Sequence, residues 1–369
     1  MSQGAVTKIK RAIISRLPTG VKEFLRKGQA TVRLAALRIF SSNGFLGSVY
    51  FSLFSRRFYG EHHAVLRGRL KYYEDLKGGG RSSPQLRRNI HRLEKGLIMK
   101  PRRPVFAEAF IMETVQACNR ARGTPEYSAE ELQWASDVLD EYFSVVSDTT
   151  VIKKARASFA APGDTPAAPD DGRQHRSKPY PRSSSPAPAM SFEDLHSLFV
   201  RRRSVRWYLQ KPVPVELIYK AIEAAAQAPS ACNRQAFRFI VATEPHWVNR
   251  IAECPGGAAG FAQQLPAIIV VVGDLSAYPF ERDRHLIYID ASLANMQLML
   301  AAETLGLSTC PINWPDIDSA EQCIRELLKL PAHERVIMLI AIGYGDPESG
   351  VPYSQKKQGD LLVTKFSPE

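Results

Sequence analysis

The sequence predicts a mixed helix-and-strand (α+β) domain over residues 191–369, a central sheet flanked by helices. A small, mainly helical region and a disordered linker come before it. Three observations carry this prediction. First, short β-rich apolar runs follow residue 190, FRFIVAT at 237–243, AIIVVV at 267–272 and VIMLIAI at 336–342, separated by helical patterns. Runs of that length and composition read as buried strands. Second, seven of the chain's 25 prolines fall within 155–190, among Ser, Ala, Gly and Asp. Almost nothing there can be buried, so it reads as a flexible connection between folded units. Third, the segments before it have mostly helical spacing. The expected boundaries are a basic arm over 1–60, a helical region over 61–154, a Pro/Ser/Ala-rich linker over 155–190 and the mixed domain over 191–369.

Taken in order, Leu66–Leu76 and Pro84–Leu97 read as helices split by the breaker Gly78-Gly79-Gly80. Ser128-Ala-Glu-Glu131 fits a capping box, and Leu132, Ala135, Val138, Leu139 and Tyr142 follow at helical spacing. Beyond the linker, Ser191 caps a helix over 191–202, and Pro214 suits the first position of a helix over 214–227. Asp290–Leu305 reads as a long helix ended by Gly306. It is apolar most of the way round, so either its own sheet or a second subunit must cover it on several sides. Residues 361–366, LLVTKF, read as a last strand.

A chain that is 44% hydrophobic and 23% charged can build a proper core. Its formal charge of +12 is unevenly placed. Residues 1–60 hold eleven Lys and Arg against one acid, Glu23, whereas 191–369 carry a net −3. Such an arm suits anionic lipid, nucleic acid or an acidic partner. No helix-turn-helix or RNA-binding motif accompanies it, so nucleic acid is the weakest of the three. Ile39–Ser55 is apolar with arginines nearby on both sides. It reads either as an ordinary buried segment or as one lying in a membrane interface. No secretory pattern is evident in residues 1–30. The expected location is cytoplasmic, with the arm able to hold the protein peripherally at the inner face of the membrane. The five cysteines show no C-x-x-C spacing, which points to free thiols rather than a zinc site or a disulfide framework.

The chemistry concentrates after residue 200. Arg202, Arg203 and Arg206 cluster where a helix runs out, and guanidinium groups suit phosphate oxygens. Ala228-Pro-Ser-Ala-Cys-Asn-Arg-Gln235 follows a helix and enters a strand; its small residues let a flat ligand approach, and Asn233 offers a donor and an acceptor. Gly306–Ile312 reads as a turn exposing backbone N–H groups, and Ser354-Gln-Lys-Lys357 is a second cationic cluster.

These stretches in this order resemble the FMN-dependent nitroreductase family. The residues that carry the resemblance are RRSVR at 202–206, the P-V-P of 212–214, APSACNRQAFRFIV at 228–241, AAETLGLSTCPI at 301–312 and AIGYGDP at 341–347. The resemblance covers about half the chain, and it implies an obligate-type homodimer with FMN in the subunit interface. By position, Arg202, Arg203, Ser204 and Arg206 would hold the phosphate and ribityl chain. Pro229, Ser230, Asn233 and Gln235 would line the isoalloxazine. Pro311, Ile312 and Asn313 would cover its other face, and Lys356 would return to the phosphate. No metal is implied. The implied reaction is ping-pong: NAD(P)H gives hydride to the flavin, and a small nitro- or quinone-like acceptor then takes the electrons, so no catalytic side chain is expected. Trp314 departs from the family pattern, either as a platform for an aromatic substrate or as a plug. A plug would favour the alternative of a weakly catalytic flavin module, tethered by its arm to a membrane or polysaccharide-assembly system. Asn89–Met99 with the following KPRRP resembles an extension on bacterial nitroreductase-like proteins linked to polysaccharide biosynthesis.

Overall fold

Residues 1–61 and 62–369 form two contact units in the computed structural model, which describes residues 19–78, 80–160, 177–256 and 260–367. The start of the basic arm, 1–18, and the middle of the expected linker, 161–176, lie outside the described residues.

In the first unit α1 (Thr19–Phe40) is followed by α2 (Gly44–Val49), which runs into a π turn at Tyr50–Phe54. The Asn43 side chain caps α2 by accepting from the Leu46 N–H at 3.0 Å. Phe40 packs its ring on Tyr50 and Phe54, with centroids 5.4 and 5.5 Å apart. Yet Phe45, Leu53 and Phe54 are 77%, 73% and 67% exposed. No residue from Gly44 to Phe54 is buried within the described part of this unit. No helix among the described residues is long and apolar enough to cross a membrane.

The second unit takes in α3 (Tyr59–Asp75) from His62 onward, then α4 (Pro84–Leu97), α5 (Ile111–Arg122), α6 (Ala129–Val145) and α7 (Thr150–Ala160). Ser83 caps α4 and Pro84 occupies its first turn, where a missing N–H costs nothing. The four helices α4–α7 close around Leu86, Ile90, Leu93, Ile111, Leu139 and Tyr142, all fully buried. Each such side chain contributes about 1.5–3 kcal/mol. Only half of the expected capping box forms at α6. Ser128 accepts from the Glu131 N–H, but the Glu131 carboxylate turns away toward α4.

Beyond the linker come α8 (Phe192–Arg201), α9 (Val215–Ala225), β1 (Phe237–Ala242), α10 (Pro245–Glu253), β2 (Ala267–Asp274), α11 (Leu286–Thr304), β3 (Ser308–Asn313), α12 (Asp318–Leu328) and β4 (Glu334–Gly343). The strands form one antiparallel sheet in the order β1-β2-β4-β3. Alternate residues face opposite layers. Ile269, Val271, Ile340 and Ile342 meet α9 and α11, while Ile268, Val270, Val272 and Leu339 meet α10 and α12. Helices on both faces explain why the central strands read as continuous apolar runs.

The sequence left open whether the helical region touches this domain, and the structure shows that it does. Ala64 and Val65 of α3 belong to the same core as α9 and α11. Gly68 permits the approach: a Cβ there would lie 2.7 Å from Leu275 Cβ.

Three sequence expectations change. Residues 308–313 form an edge strand rather than a turn. Residues 361–366 do not form a strand; Leu361, Leu362, Val363 and Phe366 are exposed, since β-propensity needs a partner edge and none among the described residues receives them. Cys254 and Cys323 are bonded, with Cα atoms 5.8 Å apart, and only Cys118, Cys232 and Cys310 are free. A separation of 69 residues hid this pair, which α10 and α12 bring together by sharing a sheet face.

Candidate functional site

The arginine segment leaves α8 at Arg202 and lies along the outer edge of β3. Ser204 bridges Thr309 in parallel, and the Val205 N–H donates to the Thr309 carbonyl at 3.0 Å. This places the arginines beside β3. Burial pushes the Cys310 thiol pKa up, and the Arg206 and Arg202 charges pull it back. The guanidinium groups are underused. Arg203 and Arg206 reach only backbone carbonyls, of Arg202 and Ser204, each at 3.3 Å. Arg202 Nε is buried with no hydrogen-bond partner, and so is Thr309 Oγ1. Buried donors are normally satisfied, so an orphaned Nε fits a phosphate oxygen.

Residues 228–235 make a strained loop. Cys232, Asn233 and Gln235 have φ of 53°, 52° and 50°. Left-handed conformations cost non-glycine residues about 1–2 kcal/mol each and cluster at functional sites. Three devices hold the loop. The Gln235 N–H donates to Ser230 Oγ at 3.1 Å, and the Gln235 amide donates to Asn233 Oδ1 at 3.0 Å. From α11, Asp290 accepts the Ala231 N–H at 2.9 Å. From α4, Arg87 Nε donates to the Asn233 carbonyl at 2.8 Å while its Nη1 pairs with Glu131 at 2.8 Å. Burial raises the Asp290 pKa, and the Ala231 and Tyr278 hydrogen bonds oppose the rise.

Within one chain these two parts stand apart. The loop feeds β1 at Phe237, which aligns through Gly273 with Arg335 on β4, whereas Ser204 lies beside Thr309, opposite Ile342. Seven residues of strand separate those levels, about 20 Å. Helix α11 gives the same measure. Asp290 near its start holds the loop, and Glu303 near its end pairs with Arg201 at 3.5 Å. Thirteen residues of helix span about 20 Å. Along the same helix Ile289, Leu293 and Met296 form an apolar stripe, 53%, 44% and 38% exposed.

The other expected residues scatter. Pro311 is half-buried and Asn313 exposed on β3, and the Ile312 side chain is buried in the layer of α10 and α12. Trp314 lies in that layer too; its indole N–H donates to Glu321 of α12 at 2.5 Å. Pro229 is exposed at the loop's start, and Lys356 is exposed in the C-terminal segment. Sequence reasoning missed Arg87 and Asp290. Asp290 did carry a signal, as the one carboxylate at the start of an otherwise apolar helix.

The family model for the nitroreductase family matches residues 200–258 and 251–344. A putative NADH dehydrogenase/NAD(P)H nitroreductase of Archaeoglobus fulgidus is 32% identical over 42% of this chain and 88% of its own length. A protein of the same description from Methanothermobacter thermautotrophicus is 33% identical over 39% of this chain and 73% of its own length. Among solved structures, an FMN-dependent nitroreductase of Clostridium difficile R20291 is 29% identical, with a TM-score of 0.39 over 46% of this chain and 98% of that one.

Proposed function

The chain belongs to the nitroreductase family, and on that premise we propose that it is an FMN-dependent oxidoreductase that uses NAD(P)H to reduce a small nitro- or quinone-like acceptor at a site shared by two subunits. FMN, when bound, would supply two-electron redox chemistry between the nicotinamide and the acceptor. The residues of the chain bind and orient. Arg202, Arg203, Ser204 and Arg206 hold the phosphate and ribityl end, Pro229, Ser230, Asn233 and Gln235 line the ring, and β3 covers it.

The observation that carries this reading is the 20 Å between the two parts, set beside the orphaned Arg202 Nε. A two-fold axis across the exposed α11 stripe turns one chain's loop toward the other chain's arginines, and it covers Ile289, Leu293 and Met296. The exposed apolar segment 361–366 is likewise suited to a partner's surface. The absorption spectrum of the purified protein tests the reading. A flavin spectrum that NADPH or NADH bleaches is expected, and a colourless protein that binds no added FMN contradicts it.

A second property rests on the first unit. Phe45, Leu53 and Phe54 are exposed in a segment whose sequence is rich in Lys and Arg, which fits an anionic membrane surface. Sedimentation with anionic vesicles should show binding that weakens with salt and disappears when residues 1–60 are removed. No binding at low salt removes this reading and leaves the flavin site untouched.

A further inference from the structure

A cavity of about 370 Å³ opens between α3, α4, α5 and the short turn at Leu275–Ala277, and none of the residues assigned above to the flavin lines it. That volume suits a small metabolite. We infer that it is a second binding site, for a small organic anion that also carries hydroxyl groups.

The wall is built and braced. Ser82 Oγ, the Ser83 N–H and the Tyr127 hydroxyl all donate to Glu131, itself 5% exposed, so one face is fixed before any ligand arrives. Two polar residues lining the cavity are nine-tenths buried yet unused. Gln85 is 8% exposed, and neither its side-chain amide nor its backbone N–H makes a hydrogen bond. Ser276 is 6% exposed, and its hydroxyl makes none either, although its N–H donates to Asp274. The side-chain polar atoms of both residues open onto one space large enough for a ligand and have no protein partner of their own.

Charge sets the class of occupant. Lys71 and Asp75 neutralise each other at 2.6 Å, and that hydrogen bond raises the Lys71 pKa. Arg120 at the rim has no carboxylate partner among the described residues. The unbonded Gln85 N–H sits in the first turn of α4, where the helix dipole favours an anion. The remaining amide and hydroxyl groups call for hydrogen-bonding substituents on the same molecule.

Calorimetry on the full chain tests this with four probes: glycerol 3-phosphate, malate, glycerol and inorganic phosphate. One of the two hydroxylated anions should bind saturably at one site per chain, and which one it is separates a phosphate from a carboxylate ligand. Glycerol and inorganic phosphate should bind at least tenfold more weakly. Gln85→Leu and Arg120→Ala should each weaken the binding about tenfold, the effect of one charge-assisted hydrogen bond. Arg120 is exposed, so its variant reads binding without risk to folding. The inference is overturned if neither anion binds at millimolar concentration, if glycerol binds equally well, or if Arg120→Ala binds as wild type does. Arg120→Ala separates this site from the arginines proposed to hold the flavin phosphate, which would also take up an organic phosphate in flavin-free protein.

Discussion

Arg87 of α4 donates to the backbone carbonyl of Asn233, 146 residues later, at 2.8 Å. The contact ties the helical region to the loop proposed to line the flavin. The same guanidinium pairs with the buried Glu131 and lies 5.4 Å from the centre of the Trp134 ring. Strained backbone persists only where its surroundings over-determine it. Arg87→Ala should therefore lower stability by about 1–3 kcal/mol. It should also weaken FMN binding by more than the stability loss explains, and Arg87→Lys should restore only part of it because a lysine cannot fork. Urea unfolding and flavin titration of the three proteins check this. Equal FMN affinity in all three would show that the loop holds its shape without the clamp.

Asp290 holds the same loop from the other side, and its pKa sets a pH dependence. Burial raises it above the 3.8 usual for an aspartate. Between 3.8 and the folded value, the native state keeps a proton that the unfolded state has lost. Stability contributed by this group is therefore greatest at low pH and falls as pH rises through that window. Asp290→Asn keeps the acceptor for the Ala231 N–H and removes the titration. Urea midpoints measured from about pH 4 to about pH 7 should show a flatter profile for the variant. An identical profile would mean that Asp290 ionises as freely in the fold as in water.

Trp314 is half-buried against α12. Its N–H donor meets Glu321, which also lies 3.6 Å from Arg335. Trp314→Phe removes one hydrogen bond and should cost roughly 0.5–1.5 kcal/mol of stability. It should leave KM for aromatic acceptors unchanged. A raised KM with unchanged stability would restore the role of substrate platform.

Much of the fold is legible in the sequence because its signals are local. Ser191 with Asp194, Pro84 after Ser83, and the β2 and β4 apolar runs each act within a few residues. The edge strand at 308–313 escaped because it contains Pro311 and follows a helix-ending Gly306, both turn signals. The Cys254–Cys323 bond and the Arg87–Asn233 contact escaped for another reason: each joins residues far apart in sequence, and no local pattern records such a pairing. The residues proposed for the site stand out in the sequence by type and spacing. Their division into two parts 20 Å apart follows from sheet register, which a single sequence does not display.

The shared site is the central claim, and a mixed dimer tests it most directly. One chain carries Arg202→Ala and Arg206→Ala. The other carries Asn233→Gly, which suits the φ of 52° and removes only the side chain. Each charge-assisted contact is worth roughly 1.5–3 kcal/mol, so the double arginine variant alone should bind FMN at least a hundredfold more weakly. If each site takes its arginines from one chain and its loop from the other, the purified heterodimer keeps one intact site. It should then hold one tightly bound FMN per dimer, more than either variant homodimer. A flavin content equal to the mean of the two homodimers would place both parts of the site within one chain and contradict the account.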